Sequence, residues 1–376
     1  MKTAIYGAGK GARIILNAMK RENHSIDFYI DEFTDETQVD GIGILKIADV
    51  TDKENVRVLN SLPGGMASAN DPHTSLTRFL KSFGFHSVLE WNEFMWDYPE
   101  LIEISFEKER EKLLENLPTY KNIDECSVQN LRAILDDKES VHILDQILSR
   151  RNGDESPLAN LPDQRVQYFP KGVDVFRGIR SLRFADCGAY DGDTTANALY
   201  LSPVPVQSIV SFEPDPHVFN KLRSHVATLK DAFPETDFHT YPAGAWSKND
   251  ILRFNVNGEE GCSSLITGMS AESVRDVISI PVVSLDSVLS GAPPNFIKMD
   301  IEGAEIDALE GARGLIQTCH PTLAVCIYHK PSHLWEIPLM IKKIYPDYQI
   351  FLRHHWVYLN ETVIYCIAPD GPKIKG

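Results

Sequence analysis

Several features are scarce in this chain, and each scarcity removes a class of function. No apolar run approaches the ~18 residues that a membrane-spanning helix needs. The opening residues pass directly into a short strand and glycines rather than a signal peptide, so no membrane partner is expected. Basic residues are outnumbered, 37 Lys and Arg against 53 Asp and Glu, for a net charge of −16. Nucleic acids and anionic membranes attract basic surfaces, so neither is an expected partner. The six cysteines (Cys126, Cys187, Cys262, Cys319, Cys326, Cys366) include no CxxC pair and no metal-ligand spacing. They read as buried thiols of a reducing cytosol, which makes the expected location cytoplasmic. At 376 residues the chain is long for one domain, so two are expected.

What is present is a strand–turn–helix–strand unit at 182–215. An apolar strand over 182–185 ends at Asp186, Gly188 and Gly192 open a loop, and Thr194 and Thr195 begin a helical pattern. The next strand, 208–212, ends on Glu213. Glycines let backbone approach a ligand, and an acid at the second strand tip can take both hydroxyls of a ribose. This is the nucleotide-cofactor half of a Rossmann-like sheet, and read alone it does not choose the cofactor.

A second such unit opens the chain. Residues 3–6 form a strand and Gly7-Ala8-Gly9-Lys10-Gly11-Ala12 a GxGxxA turn; 13–20 is a helix, and a strand over 26–30 ends at Asp31. A third strand at 56–59 and a helix over 75–83, stopped by Gly84, complete a Rossmann-like domain of nucleotide-binding type over 1–98. The GAGxxA turn, Phe28-Tyr29-Ile30-Asp31-Glu32 and the 39–45 segment resemble the N-terminal nucleotide-binding domain of bacterial sugar O-acyltransferases, over about residues 1–95. The resemblance implies a nucleotide or nucleotide-sugar ligand; docking or dimerisation, giving a homodimer, is the other role open to this unit. Ala12 stands where a third glycine would be, which counts against tight NAD binding.

Residues 99–164 read as a helical connector, with a solvated charge run at 103–112, helices at 128–135 and 141–149, and a hinge over 152–163. The larger domain spans 165–369, and 370–376 is a tail expected to fray. Beyond Glu213 come a helix at 216–229, a strand at 236–241 leading to Ala243-Gly244, and a hairpin pairing 251–256 with 279–283. A short helix at 285–289 and a strand at 295–299 ending at Asp300 follow, then a helix at 305–316 and a strand at 322–328 ending at His329. A helix at 334–344 leads to the closing strands, 349–353 and 363–368, joined across Asn360-Glu361 as a hairpin. Five strand tips thus carry distinctive residues: Asp186 with its loop, Glu213, Ala243-Gly244, Asp300 with Glu302, and His329. In an open parallel sheet the ligand lies outside the carboxyl ends of the strands. A parallel sheet finished by an antiparallel hairpin strand is the pattern of methyltransferases that use S-adenosylmethionine.

The motifs sharpen this. Asp186-Cys187-Gly188-Ala189-Tyr190-Asp191-Gly192-Asp193-Thr194, Ser211-Phe212-Glu213-Pro214-Asp215 and Phe296-Ile297-Lys298-Met299-Asp300-Ile301-Glu302-Gly303-Ala304-Glu305 resemble the three main motifs of the FkbM methyltransferases. Val283-Ser284-Leu285-Asp286 and Tyr328-His329-Lys330 also fit, and the likeness runs over about 165–369. It implies a class I methyltransferase sheet and methyl transfer from S-adenosylmethionine to a hydroxyl of a sugar, glycan or secondary metabolite. The implied cofactor contacts are Asp186, Gly188, Ala189, Tyr190, Asp191, Gly192, Thr194, Glu213, Pro214, Ala243, Gly244 and Asp300. Glu213 takes the ribose, Asp300 the cationic end, and Ala243-Gly244 leave a slot for adenine with Trp246 as a wall. Ser263 and Ser264 belong to a loop that covers the site. His329 is the leading general base because an ordinary imidazole titrates near neutrality, followed by Glu302 and Asp300. Bland roles stand beside these: Glu305 as a helix-start acid, Lys298 as a neutraliser of nearby carboxylates, His354 and His355 as packing residues. Asp300, Glu302 and His329 are also a candidate set for a divalent cation. A competing function is a non-catalytic nucleotide-sugar or carbohydrate sensor; an NAD-dependent oxidoreductase lacks any companion catalytic pattern.

Overall fold

The computed structural model describes residues 1–61, 76–89, 94, 98, 101, 111, 115, 118–154, 167–255, 264–265, 277–356 and 359–373. It divides into two compact units, Met1–Glu111 and Lys112–Gly376. The 103–110 part of the charge run, the hinge beyond 154 and Ser263 lie outside the described residues. Among the described residues no helix is long and apolar enough to cross a membrane.

The first unit runs β1 (Lys2–Tyr6), α1 (Lys10–Arg21), β2 (Phe28–Ile30), β3 (Gln38–Val39), β4 (Ile42–Leu45), β5 (Val56–Asn60), α2 (Leu76–Ser82) and β6 (Ser87–Leu89). Its sheet has the order β3-β4-β2-β1-β5-β6 and is parallel except for the β3–β4 pair. Ala12, Ile15, Leu16 and Met19 recur at helical spacing along α1 and are buried. The helix begins at Lys10, three residues earlier than the sequence pattern suggests, because the glycine turn winds directly into it.

The second unit begins with α3 (Glu125–Ile134) and α4 (Lys138–Arg151), each capped by an aspartate, Asp124 or Asp137, that accepts a backbone N–H. These two helices do more than connect. The Asp136 N–H donates to the Ile350 carbonyl at 2.9 Å, and the Asp136 carboxylate and Ser140 Oγ accept the Ile350 and Leu352 N–H groups at 2.6 and 2.8 Å. They close a sheet edge that would otherwise present unpaired backbone.

There follow β7 (Leu182–Cys187), α5 (Asp193–Leu201), β8 (Val206–Phe212), α6 (Pro216–Ala232), β9 (Asp237–Tyr241), β10 (Gly244–Ala245), β11 (Asp250–Asn255), β12 (Ser264–Leu265) and β13 (Val277–Val283). The chain ends with α7 (Leu285–Leu289), β14 (Phe296–Met299), α8 (Glu305–Glu310), α9 (Arg313–Cys319), β15 (Thr322–Cys326), α10 (His333–Ile344), β16 (Gln349–His354) and β17 (Thr362–Ile367). The main sheet has the order β16-β17-β15-β14-β7-β8-β9, and β17 is antiparallel to both of its neighbours. A smaller sheet, β10-β13-β11-β12, contains the hairpin expected from 251–283. The central strands β14 and β15 are buried along their whole length, as both faces of a parallel sheet require. Phe169, Phe184 and Phe296 meet edge-on or tilted at 5.3 to 6.0 Å on one face of this sheet.

Two local readings change. The single helix expected over 305–316 is two, broken at Gly311, where a Cβ would sit 1.9 Å from the Trp246 carbonyl. The new helix start is capped by Asp286, whose carboxylate accepts the Gly314 and Leu315 N–H groups at 2.7 and 2.8 Å. The expected tail folds back as far as Lys373, whose N–H donates to the Cys319 carbonyl at 2.6 Å.

Candidate functional site

The chain moves outward from β7 through β8 to β9 on one side and through β14 to β15 on the other. The crevice of such a sheet opens at the carboxyl ends beside that reversal. Gly188, Glu213 and Asp300 follow the three strands concerned. Gly188 has φ +77, and a Cβ there would lie 1.8 Å from the Asp300 carbonyl oxygen, so only glycine lets the loop pass. The Gly188 and Ala189 N–H groups both donate to the Phe212 carbonyl at 3.0 Å. Tyr190 is held left-handed at φ 48, a conformation that costs a non-glycine residue free energy. Its N–H thereby reaches Glu213 Oε2 at 3.1 Å, while the Asp215 N–H donates to Oε1 at 2.8 Å. Burial nevertheless pushes the Glu213 pKa up to about 7, so one donor on each oxygen does not offset the loss of solvent.

The remaining loop residues support this cradle. Asp191 accepts the Asp193 N–H at 3.2 Å, and its carbonyl lies 3.0 Å from His225 Nδ1. Gly192 begins α5, and Thr194 behind it is buried. Gly244 lies against Pro214, whose Cβ is 3.8 Å from where a Cβ on residue 244 would be, with Ala243 buried beside it. Trp246 packs with Ile280 and Val282 of the small sheet.

Asp186 lies beneath the loop with no exposed side chain. It pairs with Lys298 Nζ at 3.1 Å and accepts the Thr195 hydroxyl at 3.0 Å. Lys298 also donates to the Gly188 carbonyl at 2.5 Å and lies 5.1 Å from the centre of the Tyr168 ring. Burial opposes its charge, but the carboxylates of Asp186, Asp300 and Asp193 hold the ammonium protonated. Lys298 thus ties the strand to the loop rather than facing the crevice.

On the other side of β7, His329 stands among carboxylates. Its Nδ1 is 2.8 Å from Glu305 Oε1, and its Nε2 is 3.4 Å from Asp300 Oδ1 and 3.7 Å from Glu302 Oε2. The second oxygen of Glu305 lies 3.2 Å from His333 Nδ1. Burial alone would lower the His329 pKa, but Glu305 above all raises it to about 9. Burial would likewise raise Glu305, yet its bonds to His329 and His333 hold it well below the ordinary carboxylate range. At neutral pH His329 is therefore an imidazolium, with an N–H on each nitrogen and Glu305, Asp300 and Glu302 as its charge partners. Glu302 and Gly303 are left-handed, φ 54 and 92, and Lys330 Nζ clasps the Gly303 carbonyl at 2.6 Å.

Asp300 accepts the Tyr168 hydroxyl at 2.8 Å on Oδ2. The Tyr328 hydroxyl lies 3.4 Å from Asp300 Oδ1 and 3.1 Å from Glu361 Oε1, and Gln167 Nε2 donates to Glu361 Oε2 at 2.5 Å. Gln167, Tyr168, Glu361 and the work of Glu305 were not legible in the sequence.

The cation set named from the sequence meets around His329 Nε2, but its three ligand atoms do not all lie within 4.8 Å of one another. Among the described residues, the potential ligand atoms that lie within 4.8 Å of one another belong to Asp300, Cys326 and Glu361. Tyrosine and glutamine donors already occupy those carboxylates, burial and the neighbouring carboxylates hold the Cys326 thiol protonated, and a charged His329 offers no lone pair. That chemistry suits protons, not a divalent ion. His354 and His355 are buried and bonded to Thr362 and Tyr365 at 2.8 and 2.9 Å, and burial pulls His355 down to about 3.

Residues 186–356 match the family model described as the methyltransferase FkbM domain. The solved structure of an FkbM methyltransferase from Methylobacillus flagellatus KT is 21% identical with a TM-score of 0.53, covering 97% of this chain and 89% of that one. A putative rRNA methylase from Clostridium thermocellum is 13% identical at TM-score 0.30, covering 56% of this chain and 93% of that one. A methyltransferase from Geobacter sulfurreducens is 12% identical at TM-score 0.31, covering 65% and 96%. No curated protein matches the chain. The domain match and the α/β fold support a methyltransferase.

Proposed function

We propose that the second unit is an S-adenosylmethionine-dependent O-methyltransferase acting on a hydroxyl of a sugar, glycan or secondary metabolite. The observation that carries this reading is the pairing of Glu213 and Asp300 on either side of the Gly188 loop at the reversal point of the sheet. The cofactor fits what is there. Glu213 is a buried carboxylate with one backbone donor on each oxygen, and two ribose hydroxyls would add a donor to each. The Gly188–Gly192 backbone would lie along the methionine portion, Asp300 would face its cationic end, and Pro214, Ala243 and Gly244 would border the adenine. When bound, the cofactor supplies a methyl group on a positively charged sulfur.

The chain's own contribution is alignment and proton handling. In-line transfer depends on the reacting atoms being held in a row, which the rigid strand tips provide. An alcohol must lose its proton as it reacts, and His329, already charged at neutral pH, has no free lone pair for it. The proton therefore goes to a carboxylate, with Asp300 and Glu302 at hand and His329 stabilising their charge. In the first unit, the three backbone N–H groups already on Asp31 count against a ribose at that acid. Calorimetric titration with S-adenosylmethionine and its demethylated product tests the main reading, followed by labelled methyl transfer to a panel of hydroxyl acceptors. Absence of binding by both ligands would sink it.

A further inference from the structure

Glu361 lies outside the segment that matches the family model, yet the Tyr328 hydroxyl links it to Asp300. It occupies the turn between β16 and β17 with φ +56, a conformation that a non-glycine residue adopts only when held there. Gln167 holds one of its oxygens, and the Tyr328 hydroxyl stands between the other and Asp300. One phenolic hydrogen cannot serve two carboxylates at once. A second proton in the cluster completes the chain, since a carboxyl can donate to the Tyr328 oxygen while that hydroxyl donates onward.

The charges around Glu361 demand such a proton. Asp300 and Glu302 follow β14, and Glu305 starts α8. Against them stand the His329 imidazolium, matched to Glu305, and the Lys298 ammonium, matched to Asp186. Tyr168, Tyr328, Tyr365 and Cys326 are all held protonated by burial, and His355 is held neutral by it. Crowding unmatched carboxylates in a poorly solvated place favours neutralising one of them. Burial, with Asp300 next in effect, raises Glu361 to about 7.

We propose that Asp300 and Glu361 share one proton through Tyr328. The pair gives this proton up when a sulfonium binds beside Asp300, and takes one from the acceptor hydroxyl as the methyl group is transferred. The idea rests on the methyltransferase reading. In the transfer, the hydroxyl oxygen forms its bond to the methyl carbon, and the electron pair of the breaking carbon–sulfur bond stays on sulfur. The hydroxyl proton passes to Asp300 and, through Tyr328, to Glu361. The positive charge lost at sulfur equals the one gained by the pair.

Calorimetric titration of the full chain at pH 7, in two buffers of different ionisation enthalpy, counts the protons released on binding. S-adenosylmethionine is expected to release roughly half a proton more than its neutral demethylated product, as a group half-protonated at pH 7 requires. Glu213 contributes equally with both ligands and cancels. Glu361→Gln is expected to abolish the difference, and Tyr328→Phe to diminish it if the glutamine variant does not fold. Equal counts in the unsubstituted protein, or an undiminished difference in Glu361→Gln, would overturn the proposal. If neither ligand binds, the methyltransferase reading itself fails. The shared proton is then decided separately by infrared spectroscopy of the unliganded Glu213→Gln chain, where a protonated-carboxyl band should titrate near pH 7. Absence of that band also overturns the inference.

Discussion

The two units carry the same device, a glycine turn beside an acid at the next strand tip, and use the acid in opposite ways. Asp31 accepts N–H groups from Ala8, Phe33 and Thr34 at 2.8, 2.8 and 3.1 Å. Burial would raise its pKa, but those donors bring it below the ordinary value, so the carboxylate is satisfied by its own fold. Glu213 has two backbone donors and deeper burial, and is left at about 7. The first acid locks its turn; the second keeps a pKa raised by burial in spite of one donor on each oxygen. The more regular glycine pattern therefore belongs to the more self-contained turn.

That contrast is tested most severely by removing what holds the second turn in place. Lys298→Met leaves Asp186 buried without its cation, a change expected to cost about 3–5 kcal/mol. Urea denaturation should show the loss in the transition of the second unit, and adding Asp186→Asn should restore much of it. A loss of only a few tenths would mean the pair does not organise the loop. Next in size, Glu213→Ala is expected to weaken binding of the demethylated cofactor by about 100-fold, the worth of two charge-assisted hydrogen bonds. Asp31→Ala should leave that affinity unchanged. Hydroxyl donors favour ionised Glu213, so affinity should rise from pH 6 to 8 and then level off. A flat profile would show that the carboxylate is already satisfied, erasing the difference between the two turns.

The units should also respond to opposite ends of the pH scale. The folded pKa of His329 stands above its unfolded value of 6.5, at about 9. Its contribution is then complete below pH 6.5 and disappears as pH rises through 9, by up to roughly 3 kcal/mol. Glu305→Gln should flatten this alkaline loss, measured as thermal stability between pH 6 and 10. If the variant keeps the full slope, another group carries the linkage.

Strand tips were legible in the sequence because a parallel strand is an apolar run and the first polar residue after it marks the rim. Asp186, Glu213 and Asp300 were all found in that way, though Asp186 turned out to face Lys298 below the loop. Tyr168 and Glu361 could not be found, since each reaches the site from a distant part of the chain and no local pattern marks such a meeting. Glu305 looked like an ordinary helix-start acid because its two histidines converge on it only after α8 and α10 pack. Periodicity also ran through Gly311, and only the Trp246 backbone pressing on that point explains the break.

The smallest effect is expected at Asp31 itself. Asp31→Asn keeps one acceptor oxygen and cannot serve Ala8 on one side and Phe33 and Thr34 on the other. The cost should be about 1 kcal/mol, the net worth of a hydrogen bond rather than of a site. Because the Asp31 pKa is depressed, its contribution is present above the ordinary carboxylate range and is lost as pH falls through the folded value. The variant should therefore remove a small acid-side loss of stability while leaving the alkaline side untouched. Hydrogen exchange read at individual amides is the direct measure: Ala8, Phe33 and Thr34 should exchange faster in the variant, and the Tyr190 amide should not change. Unaltered protection of those three amides would mean that the turn holds without its acid, leaving Asp31 free for a ligand and the two units alike after all.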